Sequence, residues 1–209
     1  MKQEHIKHLY WRAGFGIRPE QIKANSKKSV DAIVNKLFLA SENTRALKID
    51  LSEFENLDFK TLKSNPNKLK ELAAKSRKRI LDLNSAWVDK MVASNDVLRE
   101  RMTLFWANHF VCRDNNVVFM QQYNNTLRAH ALGNFRDFVK AISREAAMVK
   151  YLNLKQNRKA QPNENFAREL MELFTLGAKH YSEKDIKESA RAFTGYSMRL
   201  DGNFIRFQV

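Results

Sequence analysis

The feature that most constrains the fold of this chain is its scarcity of residues that form tight turns. Only 6 glycines and 3 prolines occur in 209 residues, whereas average proteins devote about 12% of their residues to these two types. A β-sandwich or β-barrel needs such residues at its many turns. Hydrophobic residues make up 44% of the chain, which argues against a mainly disordered protein. The composition therefore favours helices.

Hydrophobic periodicity predicts a mainly α fold, an irregular bundle of about eight to ten helices. The residues Val30, Ile33, Val34, Leu37 and Phe38, for example, recur at the spacing of one helix face. The three tryptophans lie on apolar stripes and are predicted to belong to the core: Trp11, Trp87 and Trp106. Residues 203–209 alternate between two sets of side chains, which predicts a short β segment at the C-terminus.

We expect three regions along the chain. Residues 1–58 are predicted to form a small N-terminal helical unit, residues 59–79 a basic connector, and residues 80–209 the main helical body. A chain that stops in a strand-like segment looks cut, so we expect the main body to be truncated at its C-terminal end.

The net charge of +14 is concentrated in two windows of the sequence. Lys60–Arg79 carries a net +7 and Lys140–Lys159 a net +5. Such windows could contact an acidic protein or another polyanion through release of counterions. Solvated surface is the commoner role of charge runs, and it is the interpretation that the sequence favours. Lys60–Arg79 contains no aromatic residue, so it offers no platform for stacking nucleic-acid bases.

Cysteine content and targeting signals set further limits. Cys112 is the single cysteine, which excludes an intramolecular disulfide and a thiolate metal cluster. Neither a signal peptide nor a membrane span is expected, because no apolar run has the required length. As written, the chain is expected to be a soluble, cytoplasmic protein with no membrane span, and no cofactor is predicted.

Five ordered blocks of the sequence resemble the bacterial domain-of-unknown-function 1800 family. The blocks are HLYWRAGFG (His8–Gly16), RERMTLFWANHF (Arg99–Phe110), LRAHALGNFRDF (Leu127–Phe138), NENFARELMELFTLG (Asn163–Gly177) and YSEKDIKESARAFTGY (Tyr181–Tyr196). The resemblance implies that the chain is the N-terminal portion of a protein about twice as long. Members of the family are often exported, and no established activity comes with the family name.

Polar residues inside these blocks form the candidate site: His109, Arg128, His130, Glu164, Arg168, Glu169 and Glu172. If their helices pack together, imidazoles and carboxylates could converge as general acid–base pairs. The same residues could hold a metal, although no histidine follows Glu169 or Glu172 by three residues, as a ferritin-like site requires. A structural network is the third interpretation, because Arg168 lies four residues from both Glu164 and Glu172. The sequence favours this network.

Two classes of function follow from these observations. The sequence favours a non-catalytic interaction or scaffold module whose basic surfaces meet an acidic partner. The alternative is an enzyme with a Glu/His/Arg acid–base or metal site between helices, completed by residues beyond the C-terminal end of this chain.

Overall fold

The computed structural model describes residues 1–55, 64–201 and 204–208, with side chains up to residue 196. Ten α-helices lie within these residues, which confirms the prediction of a mainly α fold with eight to ten helices. They are α1 (Gln3–Ala13), α2 (Pro19–Asn25), α3 (Val30–Ala40), α4 (Pro66–Ala93), α5 (Val97–His109), α6 (Val117–His130), α7 (Phe135–Ile142), α8 (Ala146–Tyr151), α9 (Asn165–Glu169) and α10 (Glu183–Ala192). Two short 3₁₀ turns are at Ser52–Phe54 and Leu154–Gln156, and α9 continues as a π-helical turn over Leu170–Thr175.

Side chains that cap backbone N–H groups set where several helices begin. Ser29 accepts from Ala32 at the start of α3, and Asn116 accepts from two N–H groups at the start of α6. At α10, Ser182 and Asp185 form the reciprocal capping box expected from their spacing.

Three buried apolar clusters hold the helices together. The first joins α1, α2 and α3 around Ile6 and Ile33, and it packs against Val97 and Leu98 of α5. The second joins residues 47–54 to α4 and α6. The third and largest is formed by α6 to α9 with Phe110. Helix α5 therefore contacts both the N-terminal helices and the main body.

The predicted connector 59–79 falls partly on described residues. Residues 59–63 lie outside them, while residues 66–79 form the first half of α4, a single helix of 28 residues. The division of the chain into units 1–58 and 80–209 stays a prediction.

The C-terminal backbone forms a two-stranded antiparallel hairpin. Strand β1 (Ser197–Asp201) pairs with β2 (Phe204–Gln208), with Arg199 opposite Arg206. The short β segment predicted over residues 203–209 corresponds in position to β2, and its partner is the segment that directly precedes it.

Trp11 corrects the prediction that all three tryptophans belong to the core, because it is 69% exposed. Helix α1 buries Ile6 and Tyr10, which are four residues apart and share a face, and Trp11 is turned about 100° away from Tyr10. Trp87 and Trp106 are half-buried. They donate indole N–H bonds to Glu100 and to the carbonyl of Ala131, respectively.

None of the described helices combines the length and the apolar character that a transmembrane helix needs.

Candidate functional site

The most unusual feature of the fold is that α5 buries polar side chains. Its buried residues are Arg99, Glu100 and Thr103, whereas Phe105 is 54% exposed. A helix in this position normally turns its apolar face inward. A buried charge is costly unless it is paired and hydrogen-bonded, so the partners of these side chains decide what they do.

Glu100 and Arg128 form a fully buried ion pair between α5 and α6. Arg128 Nε lies 2.7 Å from Glu100 Oε1, and Arg128 Nη2 lies 3.1 Å from Glu100 Oε2. Both side chains have no exposed surface. This two-pronged geometry is the strongest arrangement available to a guanidinium and a carboxylate.

Neighbouring groups complete the hydrogen bonds of this pair. The Trp87 indole donates to Glu100 Oε2 at 3.0 Å, and Lys90 Nζ lies 3.7 Å from Glu100 Oε1. Arg128 Nη1 donates to Asn125 Oδ1 at 2.8 Å. The network joins α4, α5 and α6, and its partners satisfy the buried charges as a structural ion pair requires.

Arg99, on the same buried face of α5, binds backbone carbonyls instead of a carboxylate. Its guanidinium donates to the Ser41 carbonyl at 2.6 and 2.9 Å and to the Arg128 carbonyl at 2.8 Å. These carbonyls lie at the C-terminal ends of α3 and α6, where helices leave acceptors unpaired and carry partial negative charge. Burial lowers the pKa of Arg99. Arg99 thus caps two helices at once.

The two candidate histidines lie in one aromatic cluster. The His130 ring stacks on Phe138 with centroids 5.5 Å apart. The His109 ring contacts Trp106 and Phe110 at 5.6 and 4.7 Å. Trp106 in turn contacts Phe138 at 5.2 Å, so these two rings link the histidines, which pack mainly against apolar rings.

His109 also contacts the π-helical turn. Its Nε2 lies 2.9 Å from the Phe174 carbonyl oxygen. The turn is wide because the N–H groups of Leu176 and Gly177 both reach the Met171 carbonyl. The Phe174 carbonyl lies near the C-terminal end of this turn, where helices leave acceptors unpaired. Such turns recur at functional sites, but this histidine nitrogen is engaged by the backbone.

Charged side chains of α9 and of the π-helical turn that follows it meet partners on α10 and on the loop before it. Arg168 lies 3.0 Å from Glu164 and 2.7 Å from Glu183. Glu172 accepts from the Tyr181 hydroxyl at 2.6 Å, which raises the pKa of that tyrosine. Glu169 is half-buried on the same helix.

The predicted site residues therefore divide among three environments. Arg128 belongs to the buried ion pair, His109 and His130 to the aromatic cluster, and Glu164, Arg168 and Glu172 to the partly exposed α9–α10 surface. Among the residues that the structure describes, no group of three or more His, Cys, Asp or Glu side chains could hold a metal ion.

Four further residues complete the polar network around Arg128 but were not predicted from the sequence: Glu100, Arg99, Trp87 and Asn125. The sequence contains one feature that indicates the burial of Arg99 and Glu100. Arg99, Glu100 and Arg101 place three consecutive charges in the first turn of a helix that is otherwise rich in apolar residues. At 100° per residue they cannot all share one outward face.

A separate group of ionisable side chains is buried beside α8. The carboxyl of Glu145 accepts from the Thr126 hydroxyl at 2.5 Å, and burial raises its pKa. Burial, with the nearby Asp114, raises the pKa of Cys112 to about 12, so its thiol stays protonated and is a poor nucleophile at neutral pH. The Tyr123 hydroxyl, whose pKa is also raised by burial, donates to the Phe110 carbonyl.

The raised pKa of Glu145 predicts how stability changes with pH. Ionisation of this carboxyl opposes folding, so the folded protein loses stability as the pH rises from the unfolded value near 4.5 through the folded pKa. We expect Glu145→Gln to gain stability relative to the wild type as the pH rises from 4 to 8. Urea unfolding at a series of pH values measures this difference.

Asp185→Asn is the matched control, because the pKa of Asp185 is shifted in the opposite direction to that of Glu145. The Ser182 N–H and hydroxyl lower the pKa of Asp185, so this carboxylate stabilises the fold above its unfolded pKa and loses that contribution in acid. The free energy of unfolding of the wild type should therefore increase relative to that of Asp185→Asn as the pH rises. A Glu145→Gln difference that is flat with pH would contradict the prediction.

Comparison with known families gives a match over almost the whole chain. The family model described as "Protein of unknown function (DUF1800)" matches residues 8–208, a range that contains every block. Searches of curated proteins and of solved structures gave no match. Because the match covers almost the whole chain, the protein belongs to the DUF1800 family.

Proposed function

We propose that this chain is a non-catalytic interaction module that binds an acidic protein or polyanion through the first half of α4. The observation that supports this proposal is a set of exposed cations on one helix: Lys68, Lys70, Lys75, Arg77 and Lys78. Glu71 is the single acidic residue among residues 66–79. Counterions gathered by such a surface are released when an anionic partner binds.

Two of the basic residues on this half of α4 are already paired. Lys75 lies 2.8 Å from Glu71, and Arg79 contacts both Glu53 and Asp82. Lys70, Arg77 and Lys78 are exposed and lie on the side of α4 that is turned away from buried Ser76. Lys60 and Lys63, which belong to the same predicted window, lie outside the described residues.

The second basic window, Lys140–Lys159, is arranged differently. Its cations are distributed over α7, α8 and the turns that follow, so they do not share one helix face. Lys150 is paired with Asp114 at 2.8 Å. The concentration of charge on a single exposed face supports α4 as the binding surface.

The enzyme alternative rests on an acid–base set formed by the candidate residues His109, Arg128, His130, Glu164, Arg168 and Glu169. Their contacts support structural roles: ring packing for the histidines and ion pairs for the arginines. An acid–base pair needs free hydrogen-bonding capacity directed toward a substrate. The interaction module is therefore the better supported function.

Reversing the three outward cations should weaken binding. In Lys70→Glu/Arg77→Glu/Lys78→Glu we expect affinity for a fluorescein-labelled poly-glutamate of about 20 residues to fall at least about tenfold at 50 mM salt, because attraction is replaced by repulsion. Fluorescence anisotropy over a salt series measures the affinity. The melting temperature should change little, because all three residues are exposed.

The matched control reverses three exposed lysines in the other window, Lys140→Glu/Lys155→Glu/Lys159→Glu. It changes the net charge equally but leaves α4 intact, so its affinity should fall much less. Equal losses in both variants would mean that only net charge matters. Absence of wild-type binding at low salt would refute the proposed function.

A further inference from the structure

The outward face of α4 continues beyond its cations as a row of aliphatic side chains. Leu81, Val88 and Val92 are 67%, 53% and 73% exposed. At 100° per residue they fall within about 40° of one another, on the side opposite the buried Leu83. We name this surface the α4 stripe, and its residues are Lys70, Arg77, Lys78, Leu81, Ser85, Val88 and Val92.

The spacing along the stripe is that of a helix-packing seam. Positions 78, 81, 85, 88 and 92 alternate intervals of three and four residues, the pattern that keeps side chains facing a second helix. Surface helices that face only water have no need for exposed aliphatic residues at this spacing. A second helix laid along α4 would cover all of these positions.

Charge and apolar surface are separated along the helix axis. The cations are centred near residue 75 and the aliphatic residues near residue 87, which is about 18 Å at 1.5 Å per residue. A complementary helix therefore needs acidic residues along one half and aliphatic residues along the other. We infer that the α4 stripe docks an amphipathic helix of a partner protein with this division, an inference that rests on the proposed function and narrows the partner to a protein.

A second copy of the chain does not meet these requirements. Two α4 helices laid parallel would place the cations of one against the cations of the other, and each chain has a net charge of +14. Laid antiparallel, they would place cations over exposed aliphatic side chains. Neither arrangement is electrostatically complementary.

Nucleic acids and anionic membranes fit the aliphatic half poorly. Exposed Asp89 lies between Val88 and Val92, and the half-exposed Asp82 follows Leu81, so negative charge flanks the aliphatic row. The stripe has no aromatic side chain for base stacking. A helix that lies on a membrane surface carries its apolar residues along its whole length, whereas here they occupy one half.

The experiment uses designed helical peptides labelled with fluorescein. One has glutamates in its N-terminal half and leucines on one face of its C-terminal half, a second has the halves in the reverse order, and a third intersperses the same residues. One of the two ordered peptides should bind at least about tenfold tighter than the interspersed peptide. Equal affinities for all three would overturn the inference.

The variant Leu81→Gln/Val88→Gln/Val92→Gln tests the aliphatic half alone, and glutamine keeps good helix propensity. It should lose at least about tenfold in affinity for the preferred ordered peptide while its binding to poly-glutamate stays unchanged. Unchanged peptide affinity would overturn the inference and leave the proposed function standing. Failure of the charge-reversal variant to weaken poly-glutamate binding would refute the proposed function itself.

Two further measurements test whether the α4 stripe instead binds a second copy of the chain or a membrane. Sedimentation equilibrium should show a monomer for both the wild type and the glutamine variant. A wild-type dimer that the variant abolishes would assign the stripe to a second copy and overturn the inference. Tighter binding to vesicles of phosphatidylserine and phosphatidylcholine than to the ordered peptides, lost in the same variant, would overturn it in favour of a membrane.

Discussion

Replacing Arg128 with alanine should lower the free energy of unfolding by about 3–5 kcal/mol, because it leaves the Glu100 carboxylate buried without its main partner. Neither side chain has exposed surface, so water cannot replace the lost guanidinium. For a chain of this length the loss corresponds to a fall in melting temperature of roughly 6–20 °C. Urea denaturation and differential scanning calorimetry measure the two quantities.

Arg168→Ala is the matched control for burial. Arg168 also bridges two carboxylates, those of Glu164 and Glu183, but about a third of its side chain is exposed. Water solvates the carboxylates that this change leaves behind, so the unfolding midpoint should move much less. An Arg168→Ala protein as unstable as Arg128→Ala would contradict burial as the cause.

The double variant Glu100→Leu/Arg128→Met distinguishes the loss of the ion pair from the cost of leaving one buried charge unpaired. Removing both charges together avoids an isolated buried ion, and such replacements are often neutral or stabilising. We expect the double variant to be more stable than Arg128→Ala. A double variant less stable than Arg128→Ala would contradict the unpaired Glu100 charge as the cause of the loss.

Local signals explain why most of the fold could be predicted from the sequence. Caps such as Ser182 with Asp185, and the apolar spacing of α3, act within one or two turns of helix. They identify each helix independently of its neighbours. The same reasoning identified the C-terminal strand pattern, since alternation is also a local property.

The candidate site could be predicted only in part, because burial of charge depends on the packing of helices distant in sequence. Glu100 is 28 residues from Arg128, and periodicity along α5 does not reveal that its polar face meets α6. The same packing leaves the apolar Phe105 of α5 54% exposed, which its residue type alone does not predict. Arg128 was identified as a site residue, but its partner was not.

Replacing Arg99 with alanine should have the second-largest effect, a loss of about 3–4 kcal/mol, because it removes charge-assisted hydrogen bonds to buried carbonyl oxygens at the ends of two helices. The Ser41 and Arg128 carbonyls both accept from its guanidinium. Arg99→Lys should lose about half as much, since one ammonium group cannot span both acceptors as the planar fork does. Chemical denaturation of the three proteins measures the order of stability.

A local measurement distinguishes this capping role from general destabilisation. The Ser41 and Glu42 amides bond to the last turn of α3, so their hydrogen exchange should accelerate in Arg99→Ala more than that of amides in α10. The matched control is Arg101→Ala on the same helix, where the guanidinium lies 5.7 Å from the Phe15 ring and the expected loss is about 0.5–1 kcal/mol. Equal acceleration of hydrogen exchange in α3 and α10 would contradict the capping role of Arg99. Loss of a cap exposes the amides of the nearest helical turn before those of the rest of the fold.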